Sequence, residues 1–220
     1  MAVKSYVVFG LGKFGSSVAI SLCRAGCEVL AIDLDADLVE GIANRVTYAV
    51  RANVIDPDVF QSLGLRNMDG AVVAIGDNIE ASVMATILSK EAGIPYVLAK
   101  ASSRTHELVL SKVGADQVIY PERDMGSRVA RNMVFGKFMD TFELSDKYSL
   151  VEMKMPEEWA GKTLQDLDVR GRYGINVIAA KRGEDIVANL SPNEPLRKDE
   201  VLLVVGDNQR LLRMNRSGRR

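Results

Sequence analysis

One histidine and two cysteines in 220 residues leave this chain almost without the groups that build most catalytic centres. It has no Cys–His pairing and no Gly-x-Ser-x-Gly elbow, so thiol or serine nucleophilic catalysis has no candidate centre. Cys23 and Cys27 fall in Cys-Arg-Ala-Gly-Cys rather than Cys-x-x-Cys, with no ligand cluster beside them. They read as free, half-buried thiols and not as a zinc site or a disulfide. Long apolar runs are also missing. The longest are of strand length, so no segment is expected to span a bilayer. Charge is balanced, with 28 basic and 29 acidic residues, which gives no general attraction to nucleic acid or to an anionic membrane surface. The N-terminus enters a strand-like run directly and lacks signal-peptide shape. These absences point to a cytoplasmic protein with no nucleic-acid partner.

What is present is a glycine loop in its proper setting. The strand-like run Tyr6–Phe9 leads into Gly10-Leu-Gly-Lys-Phe-Gly15, then a helix-like stretch, then a second strand closed by Asp33. In a Gly-x-Gly-x-x-Gly loop of this kind Gly10 permits the tight turn. Gly12 lets backbone N–H groups reach a pyrophosphate, and Gly15 lets helix and strand pack closely. The helix N-terminus adds partial positive charge where phosphates would sit. Asp33 lies 18 residues beyond Gly15, near the spacing at which a carboxylate accepts hydrogen bonds from ribose hydroxyls.

Short apolar strands alternate with helix-like stretches up to about residue 135, the pattern of a parallel sheet covered on both faces. The fold class is therefore α/β: a Rossmann-type doubly wound parallel sheet over residues 1–135, followed by a small α+β lobe over 136–220. Residues 136–147 read as a connector, Lys181–Glu184 as a hairpin turn, 209–214 as an amphipathic stretch and 215–220 as a solvated basic tail.

Ligands of open parallel sheets sit at the carboxyl ends of the strands. Those ends offer Gly10, Gly12, Lys13, Phe14 and Gly15; Asp33, Leu34 and Asp35; Asn53 and Val54; Ile75, Gly76 and Asp77; Lys100, Ala101 and Ser102; and Glu122. The site implied is one for an adenine nucleotide. Lys13 adds a point charge that suits ATP or ADP better than the nicotinamide ribose of NAD; the plain alternative is a lysine projecting into water. Leu34 stands where arginine often recognises a 2′-phosphate, so NADP is disfavoured. Asn53 suits a base or ribose edge. Lys100 is either a ligand cation or a solvated strand-end lysine. Glu122 is either a first-turn helix acid or, if it faces phosphates, the ligand of Mg²⁺ or another hard cation. His106 either meets phosphate or ribose or serves near a helix cap. The rival class is an NAD(H)-binding redox sensor or dehydrogenase-like enzyme, for which an acid–base pair is not evident.

Several stretches together carry a resemblance. Gly10–Gly15, Ala74-Ile-Gly-Asp-Asn-Ile-Glu-Ala-Ser82, Lys112-Val-Gly-Ala-Asp116, Pro121-Glu-Arg-Asp-Met125, and Leu144-Ser-Asp146 followed by Leu150-Val-Glu152 resemble the RCK regulatory subunits of Ktr and Trk potassium transporters, of the KtrA/KtrC type. The resemblance covers essentially the whole chain, as an RCK-N lobe and an RCK-C (TrkA-C) lobe. It implies a non-catalytic subunit that forms homodimers and an octameric ring under a membrane-embedded potassium transporter, with ATP and ADP favouring different ring shapes. Carried over by position, Lys13 would meet the terminal phosphates and Asp33 the ribose, while Glu122 would help hold a cation near the phosphates at the dimer interface. That family usually has arginine at the Lys13 position, so here a point charge replaces a bidentate fork. In related proteins the second lobe binds cyclic di-AMP, and Arg170 and Asn176, with Leu167 and Ile175 sandwiching a base, resemble that site.

Overall fold

The computed structural model of the chain describes residues 3–135 and 138–217. It divides into two compact units, residues 1–122 and 123–220. In the first, strands β1 (Ser5–Phe9), β2 (Glu28–Asp33), β3 (Tyr48–Arg51), β4 (Gly70–Val73), β5 (Val97–Lys100) and β6 (Gln117–Ile119) form one parallel sheet in the order β3-β2-β1-β4-β5-β6. Helices α1 (Lys13–Arg24), α2 (Ala36–Ile42), α3 (Pro57–Ser62), α4 (Ile79–Glu91) and α5 (Arg104–Lys112) link the strands.

The period-two alternation of β1 decides which helices cover which face. Val7 and Phe9 point into a core with Phe60 of α3, Ala85 of α4 and Leu110 of α5, and Phe9 stacks on Phe60 at 5.4 Å between centroids. Val8 points the other way, into a core with Ala19 and Ile20 of α1 and Ile42 of α2. The chain runs outward from β1 to β3 with helices on one face, then returns through β4 to β6 with helices on the other. The crevice of the sheet therefore opens between β1 and β4, where the direction of winding reverses.

The second unit is an antiparallel sheet in the order β10-β9-β11-β8-β7, built from β7 (Phe138–Glu143), β8 (Tyr148–Lys154), β9 (Ile175–Arg182), β10 (Asp185–Val187) and β11 (Val201–Asp207). Helices α7 (Leu164–Leu167), α8 (Val169–Tyr173) and α9 (Asn208–Ser217) accompany it. Its core gathers Trp159, Val151, Leu202, Val204 and Leu211. The hairpin expected at Lys181–Glu184 is present, turning at Gly183 with φ 63°.

One expectation needs correction. The connector read at 136–147 contains β7, which pairs antiparallel with β8. Its sequence hides the strand because Asp140 and Glu143 are spent on arginines rather than on an apolar face. Arg128 bonds Asp140 at 3.1 Å and Arg131 bonds Glu143 at 2.6 Å, both from helix α6 (Pro121–Phe135). The compact division falls at Glu122/Arg123, with most of α6 in the second unit; the sequence pattern places the boundary after residue 135. Helix α8 was not anticipated. It starts from Asp168, a non-glycine residue at φ 44° whose side chain accepts from the Gly171 N–H. Of the basic tail expected at 215–220, residues 218–220 lie outside the described residues.

Candidate functional site

Helices α2, α3, α4 and α5 each begin with a side-chain cap, from Asp35, Asp56, Asn78 and Ser103. Helix α1 has none: its cap residue is Gly12, and its first turn carries no acid. The N–H groups that the other helices satisfy internally are here left for an anion. The loop geometry supports this. Gly10 turns at φ 87°, and an added Cβ there would meet the Ala74 carbonyl carbon and the Ile75 nitrogen at 3.0 Å. At Gly15 an added Cβ would collide with the Gly10 carbonyl oxygen. Gly12 has nothing within 4 Å on that side, so the space over it is open to a ligand. Lys13 is exposed at the start of α1, and Phe14 is half-buried behind it.

Asp33 ends β2 facing this loop. One carboxylate oxygen accepts from the Leu11 N–H and the other from the Asp35 N–H at 2.9 Å. Each oxygen keeps a lone pair, so a ribose hydroxyl finds an acceptor already held in place. Leu34 and Asp35 are exposed alongside, and Arg51 clamps the turn by donating Nε–H to the Leu34 carbonyl at 2.9 Å. That clamp carries no motif and was not read from sequence. Asn53 is exposed, and its side-chain oxygen accepts from the Ile55 N–H at 3.3 Å, while its amide NH₂ has no partner among the described residues.

On the β4–β5 side, Ile75 and Gly76 are half-buried and Asp77 is exposed. Lys100 passes beside Gly76, where an added Cβ would sit 3.6 Å from the ammonium. The ammonium lies 6.0 Å from the centroid of the Phe14 ring and 2.8 Å from Oε1 of Glu122. The hydrogen bond from Lys100 holds the Glu122 carboxyl below its usual range. Within one protomer the Glu122 carboxylate is thus paired with an ammonium. Among the described residues no group of three or more His, Cys, Asp or Glu side chains is placed to hold a metal ion.

Besides Gly15, three of the expected contact residues are buried. Val54 belongs to the core, and Ala101 is fully covered and offers only its backbone. His106 is 1% exposed, so it is not a surface group. Its Nδ1 accepts from the Ser102 N–H at 3.3 Å and touches the Ser102 hydroxyl at 3.2 Å. Burial lowers its pKa, which keeps the ring neutral and Nδ1 an acceptor. His106 therefore shapes the β5–α5 turn from below and leaves Ser102 exposed at the crevice.

In the second unit, Arg170 and Asn176 are both exposed around the α8–β9 turn at Gly174. Leu167 and Ile175, expected to sandwich a base, are instead buried in the core with Trp159 and Leu211. The sequence reading missed Arg210 of α9, whose guanidinium lies so close to Gly174 that no Cβ fits there. Only the fold brings those positions together.

The TrkA-N domain matches residues 6–121, and the TrkA-C domain matches residues 149–217. The chain is 43% identical over 203 residues to Ktr system potassium uptake protein C of Bacillus subtilis, across 92% of each protein. It is 38% identical over 215 residues to Ktr system potassium uptake protein A of the same organism, across 98% of this chain and 97% of that protein. Among solved structures, the GsuK RCK domain superposes with a TM-score of 0.64 at 14% identity, over 98% of this chain and 47% of that chain. That likeness is one of fold. No helix among the described residues is long and apolar enough to cross a membrane.

Proposed function

Because this chain belongs to the family of RCK regulatory subunits of Ktr potassium uptake, built from TrkA-N and TrkA-C domains, we propose that it is a cytoplasmic, non-catalytic nucleotide sensor. It acts at the inner face of the membrane on a membrane-embedded potassium transporter subunit, as homodimers assembled into an octameric ring. The observation that carries the nucleotide part is the uncapped N-terminus of α1, with open space over Gly12 and the Asp33 carboxylate fixed beside it. ATP or ADP lays its phosphates on the N–H groups of the loop and its ribose hydroxyls on Asp33. Leu34 and Asn53 border the base, Asp35 and Asp77 flank the mouth, and Lys13 with Lys100 supplies charge for the phosphates. Ser102 and the backbone of Ala101 close the floor.

For the nucleotide to switch a transporter it must prefer one ring shape. A tenfold preference is about 1.4 kcal/mol per site, and equivalent sites in a ring multiply that bias. The third phosphate of ATP, met by Lys13, is the natural source of the difference. Arg170 and Asn176 make the second unit a candidate site for cyclic di-AMP, with a guanidinium for phosphate and an amide for an adenine or ribose edge.

Calorimetry with ATP, ADP, NADH and cyclic di-AMP, with and without Mg²⁺, tests the reading. ATP and ADP should bind at one shared site, and Lys13→Ala should flatten the ATP-over-ADP contrast while AMP binding stays nearly unchanged. Equal loss for all three adenine nucleotides would refute the role of Lys13. NADH outcompeting ATP would move the site to the redox-sensor reading.

A further inference from the structure

We propose that Arg210 of α9 is a further anion-binding residue of the second unit, so that the α8–β9 turn meets a phosphodiester ligand with two arginines from separate helices rather than with Arg170 alone. The proposal rests on the cyclic di-AMP reading given above for Arg170 and Asn176.

Gly174 is the residue both arginines meet. Its N–H donates to the Arg170 carbonyl at 3.0 Å and closes the last turn of α8. Arg210 lies against the same residue: a Cβ built at Gly174 would fall on Nη1 of that side chain, with its Cδ at 2.8 Å. Stem and head of Arg210 thus cover the turn, and only a residue without a side chain leaves them room. The turn is anchored from below. Ile175 after it is buried, Tyr173 before it packs on the Trp159 ring at 5.2 Å between centroids, and Leu211 beside Arg210 is fully covered in the same core. Arg210 itself is exposed, so its guanidinium rests on a fixed frame and faces solvent.

Among the described residues neither guanidinium has a hydrogen-bond or ion-pair partner. The acids nearest in sequence are turned to the backbone instead. Asp168 accepts from the Gly171 N–H at 3.2 Å, and Asp207 accepts from the N–H groups of Gln209 and Arg210 at 2.9 and 3.4 Å. Surface arginines commonly point into water. Here two helices meet at one glycine, and each brings an uncommitted guanidinium whose fork matches phosphate oxygens. Two such forks suit a ligand with two phosphate charges, and Asn176, exposed two residues beyond Gly174, offers an amide to a base or ribose edge. Arg172 is the internal control. It is exposed as well, but two residues along α8 it does not share a face with Arg170.

Cyclic di-AMP affinity should be measured by calorimetry on the full chain for the wild type, Arg170→Ala, Arg172→Ala, Arg210→Ala and Arg210→Lys. Saturating ADP keeps the crevice of the first unit filled, and circular dichroism melts confirm the fold of each variant. Arg210→Ala should weaken cyclic di-AMP about tenfold, and Arg210→Lys, which keeps the charge and loses the fork, by less. Arg172→Ala should change it by less than about twofold. ADP affinity should be the same in all five proteins. Unchanged cyclic di-AMP binding in Arg210→Ala, or an equal loss in Arg172→Ala, would overturn the role of Arg210 and leave Arg170 and Asn176 as they stand. A wild type that binds no cyclic di-AMP would instead bring down the cyclic di-AMP reading itself, and this proposal with it.

Discussion

Two glycines three residues apart should fail in opposite ways. At Gly15 an added methyl would lie inside the Gly10 carbonyl oxygen and 3.0 Å from the Cβ of Ala74. Ordinary contacts between heavy atoms sit at about 3.5–4 Å, so α1 would have to lift from β1 by roughly 1.5 Å. The strand has no freedom to yield. Val8 and Phe9 are fully buried, and the Gly10 N–H is tied to the Ile32 carbonyl at 2.8 Å. Overpacking of this kind costs about 1–3 kcal/mol and sometimes more. Gly12 differs on each count: nothing lies within 4 Å of an added Cβ, and its φ of −62° suits any residue. Gly12→Ala should therefore leave stability within about 0.5 kcal/mol of wild type, while its methyl occupies the space a phosphate needs. The assay pairs urea unfolding with ADP calorimetry on each variant. Gly15→Ala should lower the urea midpoint clearly, and Gly12→Ala should keep the midpoint and lose at least tenfold in ADP affinity. An unchanged midpoint for Gly15→Ala, or full ADP binding by Gly12→Ala, would refute the assignment of packing to one glycine and phosphate approach to the other.

The lone histidine makes a clean pH probe. Its folded pKa is lowered by burial, so the unfolded chain binds the extra proton and stability should fall as pH drops below about 6.5. Urea melts at pH 7.5 and 5.5 should show that loss in wild type and a smaller one in His106→Gln, and the imidazole proton resonances should titrate below the unfolded value. Asp116 tests the opposite case. Burial raises its carboxyl, but the Lys90 ammonium and the Val97 N–H outweigh it, and the net shift is downward. Its contribution is present above the ordinary carboxylate range and is lost as pH falls through the lower folded value, so Asp116→Asn should destabilise at pH 7 and flatten the acid limb below about pH 4. In the second unit the Glu200 side chain is fully covered, with one oxygen on Arg182 and the other without a partner among the described residues. Arg182→Met should therefore lower the urea midpoint, and adding Glu200→Gln should restore part of the loss; a strictly additive double variant would refute the coupling.

Local chemistry was enough to read the first unit. The six strands, the helices between them and the glycine loop follow from apolar runs of strand length, capping residues and three glycines at fixed spacing. Each of those signals acts over a few residues, which is why Gly10, Gly12, Gly15 and Asp33 were legible. The hairpin at Gly183 was legible for the same reason. Family motifs spread over the whole chain pointed to the RCK class, and the domain matches agree.

What stayed hidden depends on partners far apart in sequence. β7 is held by arginines of α6 and by pairing to β8, so its polar residues carry no strand period. The burial of His106, Leu167 and Ile175 is set by neighbouring elements that cover them, and type or spacing cannot report it. Arg51 and Arg210 reach Leu34 and Gly174 only because the fold brings those backbones beside them. Lys100 and Glu122 were each visible as charges at strand and helix ends. That they face one another, and so pair within the protomer, was decided by the end of β5 and the residue just after β6 coming together in the fold. Sequence alone thus determined which chemistry the crevice contains, whereas tertiary structure decided which of those charges are already paired, because pairing requires proximity that the chain acquires only on folding.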